Sequence, residues 1–142
     1  VIEKKTGSPI DILFNEKGEN YFRGVESEVA LELAPLKGTV LATGGGWALS
    51  NQNWRAVPED TLTVWLKVTP EVAFKRALNE GLSRPLFDQN KSVEEFALLL
   101  KGRRHWYGRA RHSVDSEQGE PQEIAESIVK FIDSPDFLID GK

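Results

Sequence analysis

Cysteine and methionine are both absent from the 142 residues. The first absence removes disulfides and thiolate chemistry. The second means that Val1 is not an encoded start, so the sequence predicts a fragment or a processed product. No apolar run approaches the roughly 20 residues that a membrane span requires, and no signal-peptide pattern opens the chain. Nor does the chain contain G-x-x-x-x-G-K-[ST], the sequence of a loop whose amides and lysine grip nucleotide phosphates. Histidine is limited to His105 and His112, seven residues apart with no acidic partner at ligand spacing, a pattern that predicts no metal site. Positive charge is not in surplus either: the formal net charge is −4, which argues against a duplex nucleic acid partner because counterion release needs clustered Lys and Arg. Lys101, Arg103, Arg104, Arg109 and Arg111 form the one basic cluster, and it is interleaved with aromatics.

What remains is the composition of an ordinary globular domain, with 39% hydrophobic and 28% charged residues. Ser8-Pro9-Ile10-Asp11 reads as a helix start with Ile10, Leu13 and Phe14 on one stripe, ended by Gly18. A second helix from about Glu19 presents Phe22, Val25, Val29 and Leu33 and stops near Pro35. Thr39 to Ala42 is short and apolar and predicts a buried strand; Thr61 to Val68 predicts the next. Thr69-Pro70-Glu71 opens a helix running to Gly81, and the capping box Ser92-Val93-Glu94-Glu95 opens a longer one that Gly102 and Gly108 bend or divide. Ser113-Val114 predicts a last short strand, and Gly119-Glu120-Pro121 a last helix with Ile124, Ile128, Val129 and Ile132 inward. Alternating strands and helices imply a parallel, three-layer α/β sheet.

Four places carry chemistry. Val40 to Gly46 is an apolar run ending in Gly44-Gly45-Gly46, a stretch of bare backbone that an anion or polyol can approach closely, or else a flexible turn. Arg23 offers a planar fork for a carboxylate; a surface ion pair with Glu19 at i−4 and Glu26 at i+3 is the alternative. Arg84 lies in Ser83-Arg84-Pro85-Leu86, held extended by the following proline, and reads as a lid arginine or a solvated loop residue. Arg103, four residues before Tyr107, reads as a second ligand arginine or a cation packed on Trp106 or Tyr107.

In that order, Phe22-Arg23 with Glu26, the triple glycine, Arg84-Pro85-Leu86 and Arg103 resemble the shikimate kinase family over nearly the whole chain. The resemblance implies a domain over residues 1–132 with a C-terminal tail at 133–142. It also implies a P-loop kinase sheet of order 2-3-1-4-5, in which the recognisable strands are the third, fourth and fifth and the first two are expected to be absent. By the same likeness Arg23, Gly44, Gly45, Gly46 and Arg103 bind shikimate, Arg84 closes on the ATP phosphates, and ATP with Mg2+ donates the phosphoryl group. The family's paired aspartates would fall just before Val1, and Gln118 stands where an arginine often meets adenine. The expectation is therefore a shikimate kinase-type domain of aromatic amino acid biosynthesis, inactive as these 142 residues alone. It would be cytoplasmic, or plastidic in a plant, with no nucleic acid or membrane partner. A non-catalytic relative that keeps the pocket for binding or structure stays open, as does a kinase of another small hydroxylated acid.

Overall fold

The chain divides into two compact units, Val1–Pro58 with Arg76–Lys91 and Glu59–Lys75 with Ser92–Lys142. The computed structural model describes residues 1–79, 92–134 and 137. The first unit begins with α1 (Ile2–Thr6), closed by Gly7 in the left-handed region at φ 71°. The carboxylate of Glu3 accepts the Ile10 amide at 3.0 Å, so an unpaired donor at the start of α2 (Ile10–Leu33) finds its acceptor across the turn. Pro9, rather than Ser8, takes the N-cap position. Gly18, at φ 81° and ψ 170°, breaks α2 into two helical segments, as its place in the sequence predicts. Leu13, Phe22, Val25, Val29 and Ala30 are buried, and the 22-25-29 spacing explains why the second segment turns one face inward. Phe14 and Phe22 meet across the break with ring centroids 4.5 Å apart.

The segment Thr39 to Ala42 is not a strand. It pairs with no ladder among the described residues, and Val40 is 97% exposed. Apolar composition alone suggested burial, but a strand exists only through a neighbour that takes its backbone donors and acceptors. A single 3-10 turn follows at Trp47–Leu49, then α3 (Asn51–Arg55), neither of which the sequence signals predicted.

The second unit holds a parallel pair of strands, β1 (Val64–Lys67) and β2 (His112–Asp115), in register from Val64 opposite His112 to Lys67 opposite Asp115. These are the segments expected as the fourth and fifth strands, and they are neighbours as that order requires. Parallel strands need a long crossover, and α4 (Pro70–Asn79) and α5 (Val93–Tyr107) lie in the intervening sequence. The Ser92–Glu95 capping box is present, Gly102 sits inside an unbroken α5, and Gly108 caps its end. The last helix, α6 (Pro121–Ile132), starts with a second box in which Glu120 and Glu123 exchange backbone contacts. His112 stacks on Phe131 of α6 at 3.8 Å. Ile124 and Ile128 are half-buried, but Val129 and Ile132 are exposed, so the inward face of α6 is narrower than its apolar residues suggested. Among the described residues the fold is α/β with a two-stranded parallel sheet.

Candidate functional site

Helical spacing brings Glu19, Arg23 and Glu26 to one face of α2. Arg23 Nη1 donates to Glu26 Oε2 at 2.7 Å, while Nε and Nη2 both reach Glu19 Oε1 at 3.4 Å. The surface ion pair considered from the sequence is thus formed, yet its two arms differ. Glu26 is buried and its bond to Arg23 is short and charge-assisted; the Glu19 side chain is 52% exposed and its contacts are long. A buried carboxylate needs such a partner. The guanidinium also lies over the Phe22 ring, 5.4 Å from its centroid.

The triple glycine forms the opposite wall. Gly44 accepts the Trp47 amide at 3.0 Å and Gly46 the Leu49 amide at 3.1 Å, turning the loop directly into the 3-10 segment. That turn is braced from α3: the buried Asn53 donates its side-chain amide to the Trp47 carbonyl at 2.8 Å, and the Trp54 indole donates to the Ala48 carbonyl at 2.7 Å. Ser50 caps α3 by accepting the Asn53 amide. Asn53 and Trp54 are positioning residues that the sequence reading missed; the Ser50 cap three residues ahead of Asn53 was the available signal. Gly44 and Gly46 stand against the Glu26 carboxylate and the Arg23 guanidinium respectively, so loop and ion pair are in direct apposition. An open cleft of about 230 Å³ borders them, with Glu26, Gly44 and Trp47 in its wall.

Arg103 belongs to the second unit, on α5. It is half-buried, and its side chain makes no hydrogen bond, ion pair or ring contact among the described residues. The cation over Trp106 is Arg109, at 5.6 Å, and the Tyr107 ring pairs with Trp65 at 6.1 Å, so the alternative role considered for Arg103 is filled by other groups. Arg84 lies outside the described residues. The Gln118 amide donates to Asp115 at 3.1 Å. Among the described residues no group of three His, Cys, Asp or Glu could hold a metal ion, and no helix is long and apolar enough to cross a membrane.

Residues 1–133 match the family profile described as shikimate kinase. The shikimate kinase of Thermodesulfovibrio yellowstonii is 36% identical over 130 residues, spanning 92% of this chain and 75% of that protein. That of Moorella thermoacetica is 37% identical over 130 residues, spanning 90% and 73%. Among solved structures, the shikimate kinase from Acinetobacter baumannii in complex with shikimate superposes with a TM-score of 0.82 at 31% identity, over 92% of this chain and 73% of that one.

Proposed function

The chain belongs to the shikimate kinase family, and on that premise we propose that it is a shikimate-binding kinase domain. Its reaction is transfer of the γ-phosphoryl group of ATP to the shikimate 3-hydroxyl, when a phosphate-gripping loop that these 142 residues do not contain is supplied. The domain spans residues 1–132, with 133–142 as a tail. Its compartment is the cytoplasm, or the plastid in a plant.

The observation that carries this reading is the state of Arg23. Its Nε and Nη2 atoms form the edge on which a carboxylate docks with two parallel bonds. That edge carries the long, solvent-side contacts to Glu19, with Nη2 also close to Gly46, whereas the short bond to buried Glu26 is on Nη1. A substrate carboxylate therefore replaces Glu19 and leaves Glu26 in place. Glu26 holds the fork, and the fork holds the acid. Gly44, Gly45 and Gly46 at the shikimate ring and Arg103 as a second cation are assigned by family likeness alone. Arg84 is assigned to the ATP phosphates by family likeness alone.

The 142 residues contain no G-x-x-x-x-G-K-[ST] sequence, and among the described residues no group of three His, Cys, Asp or Glu could hold a metal ion. A binding role without turnover is the second reading. Calorimetry of the 142-residue chain with shikimate tests the site: measurable weak binding that disappears in Arg23→Ala is expected, and no heat in the parent would overturn the substrate. A coupled ADP-release assay on the same chain is expected to read background, and turnover at ordinary enzyme concentration would overturn the claim of inactivity.

A further inference from the structure

We infer that Gly44 and Gly46 are positioning residues, the absence of their side chains forming the seat for the Arg23–Glu26 pair. Backbone torsion does not demand glycine at either place. Among the described residues the positive-φ glycines are Gly7, Gly18, Gly38 and Gly119, and Gly46 has right-handed helical angles, φ −75° and ψ −25°, which alanine adopts readily. Space demands it instead. A Cβ on Gly46 would overlap the guanidinium carbon and both terminal nitrogens of Arg23. A Cβ on Gly44 would stand 2.5 Å from Glu26 Oε1 and 3.6 Å from its Cδ. Two side chains three apart on one helix thus meet two glycines two apart on one loop, each in its own gap. Gly24, next to Arg23 in the chain, is the contrast: a Cβ there would have nothing within 4 Å.

The consequence lies in where the fork is held. Nη1 is fixed by Glu26 and the guanidinium lies close against Gly46, so the loop sets the distance between the docking edge of Arg23 and the backbone beside it. A side chain at position 46 lifts the fork off the loop and opens its bond to Glu26. The functional half of this inference rests on the shikimate reading above; the structural half does not.

The test uses Gly46→Ala, Gly24→Ala and the pair Arg23→Ala with Gly46→Ala in the 142-residue chain. Three quantities are read: the Arg23 Nε–H resonance without ligand, the urea midpoint, and the shikimate dissociation constant. Gly46→Ala is expected to move the Arg23 resonance, lower the midpoint and weaken shikimate roughly tenfold, the scale of one lost charge-assisted hydrogen bond. Gly24→Ala is expected to leave the resonance and the affinity as in the parent. In the Arg23→Ala background the alanine at 46 has nothing to displace, so its effect on the midpoint should vanish, including recovery of folding if Gly46→Ala alone does not fold. An unmoved resonance in Gly46→Ala, or an equal midpoint loss in both backgrounds, overturns the seat. Absence of shikimate binding by the parent overturns the substrate reading, while the resonance and the double variant still decide the seat.

Discussion

Arg23 and Arg103 carry the same guanidinium in opposite settings. In the first unit Arg23 is gripped by a buried carboxylate, touched by an exposed one and backed by a glycine. In the second unit Arg103 is half-buried on α5 with no polar partner among the described residues. The surroundings follow the same division. Every described residue that is buried belongs to the first unit, including Leu13, Phe22, Val25 and Val29 on the helix that carries Arg23. In the roles proposed for them, the two arginines contribute differently to recognition of an acid. A fork held in place before binding loses little side-chain freedom when the ligand arrives, whereas an uncommitted one surrenders its rotamers at that moment. Under that proposal Arg23 fixes orientation and Arg103 adds charge that adapts.

The sharpest way to break this contrast is to truncate each arginine. Arg23→Ala leaves the Glu26 carboxylate buried without its partner and is expected to destabilise the chain by about 3 kcal/mol, the lower end of the range for breaking a buried pair, since the arginine itself is 25% exposed. Arg103→Ala breaks no side-chain hydrogen bond, ion pair or ring contact among the described residues and is expected to stay within about 0.5 kcal/mol of the parent. Both should weaken shikimate binding. Urea unfolding beside calorimetry separates the two roles, and equal stability losses would erase the distinction.

A smaller effect sharpens it from the other side. Glu19 touches the docking edge of Arg23 with long bonds from an exposed position, where ion pairs contribute little to stability. Glu19→Gln weakens the competitor without touching Glu26. It is expected to tighten shikimate severalfold, roughly the equivalent of the 0.2–1 kcal/mol of an exposed pair, with an unchanged urea midpoint. Weaker binding in this variant would mean that Glu19 orients the fork rather than occupying its edge.

What the sequence made legible was local. Pro70, the Ser92–Glu95 box, Pro121 and the break at Gly18 mark helix boundaries through capping and torsion, which adjacent residues determine. The ion partners of Arg23 were legible for the same reason, being fixed by helical spacing. What escaped was long-range. The loss of a strand at Thr39 to Ala42 depends on pairing with other segments, and the 3-10 turn at Trp47–Leu49 depends on the side chains of Asn53 and Trp54 reaching back to its carbonyls. The apposition of Gly44 and Gly46 to Glu26 and Arg23 joins a helix to a later loop, and no periodicity announces it. The triplet looked like bare backbone left open for a ligand; the space above two of its members is taken by the protein's own charges.

The smallest expected effect separates the two units by pH. In the first, Lys5 bonds Glu32 and Glu28, and the Glu32 hydrogen bond leads in holding its ammonium above the ordinary 10.5. In the second, Glu94 in the first turn of α5 is held below its ordinary 4.5, first by the hydrogen bond to its own backbone amide and then by the Ser92 hydroxyl. A raised lysine contributes stability below its unfolded pKa and loses it as pH rises through the folded value; a lowered carboxyl contributes above its unfolded pKa and loses it as pH falls. Lys5→Gln should therefore differ from the parent at neutral pH and converge with it only at strongly alkaline pH. Glu94→Gln should differ at neutral pH and converge as pH falls below about 4.5. Both groups are exposed, so the differences will be slight, and amide exchange in α1 and in the first turn of α5 reads them more finely than a global midpoint. Convergence of both variants at the same end of the pH scale would show that the two units share one electrostatic response.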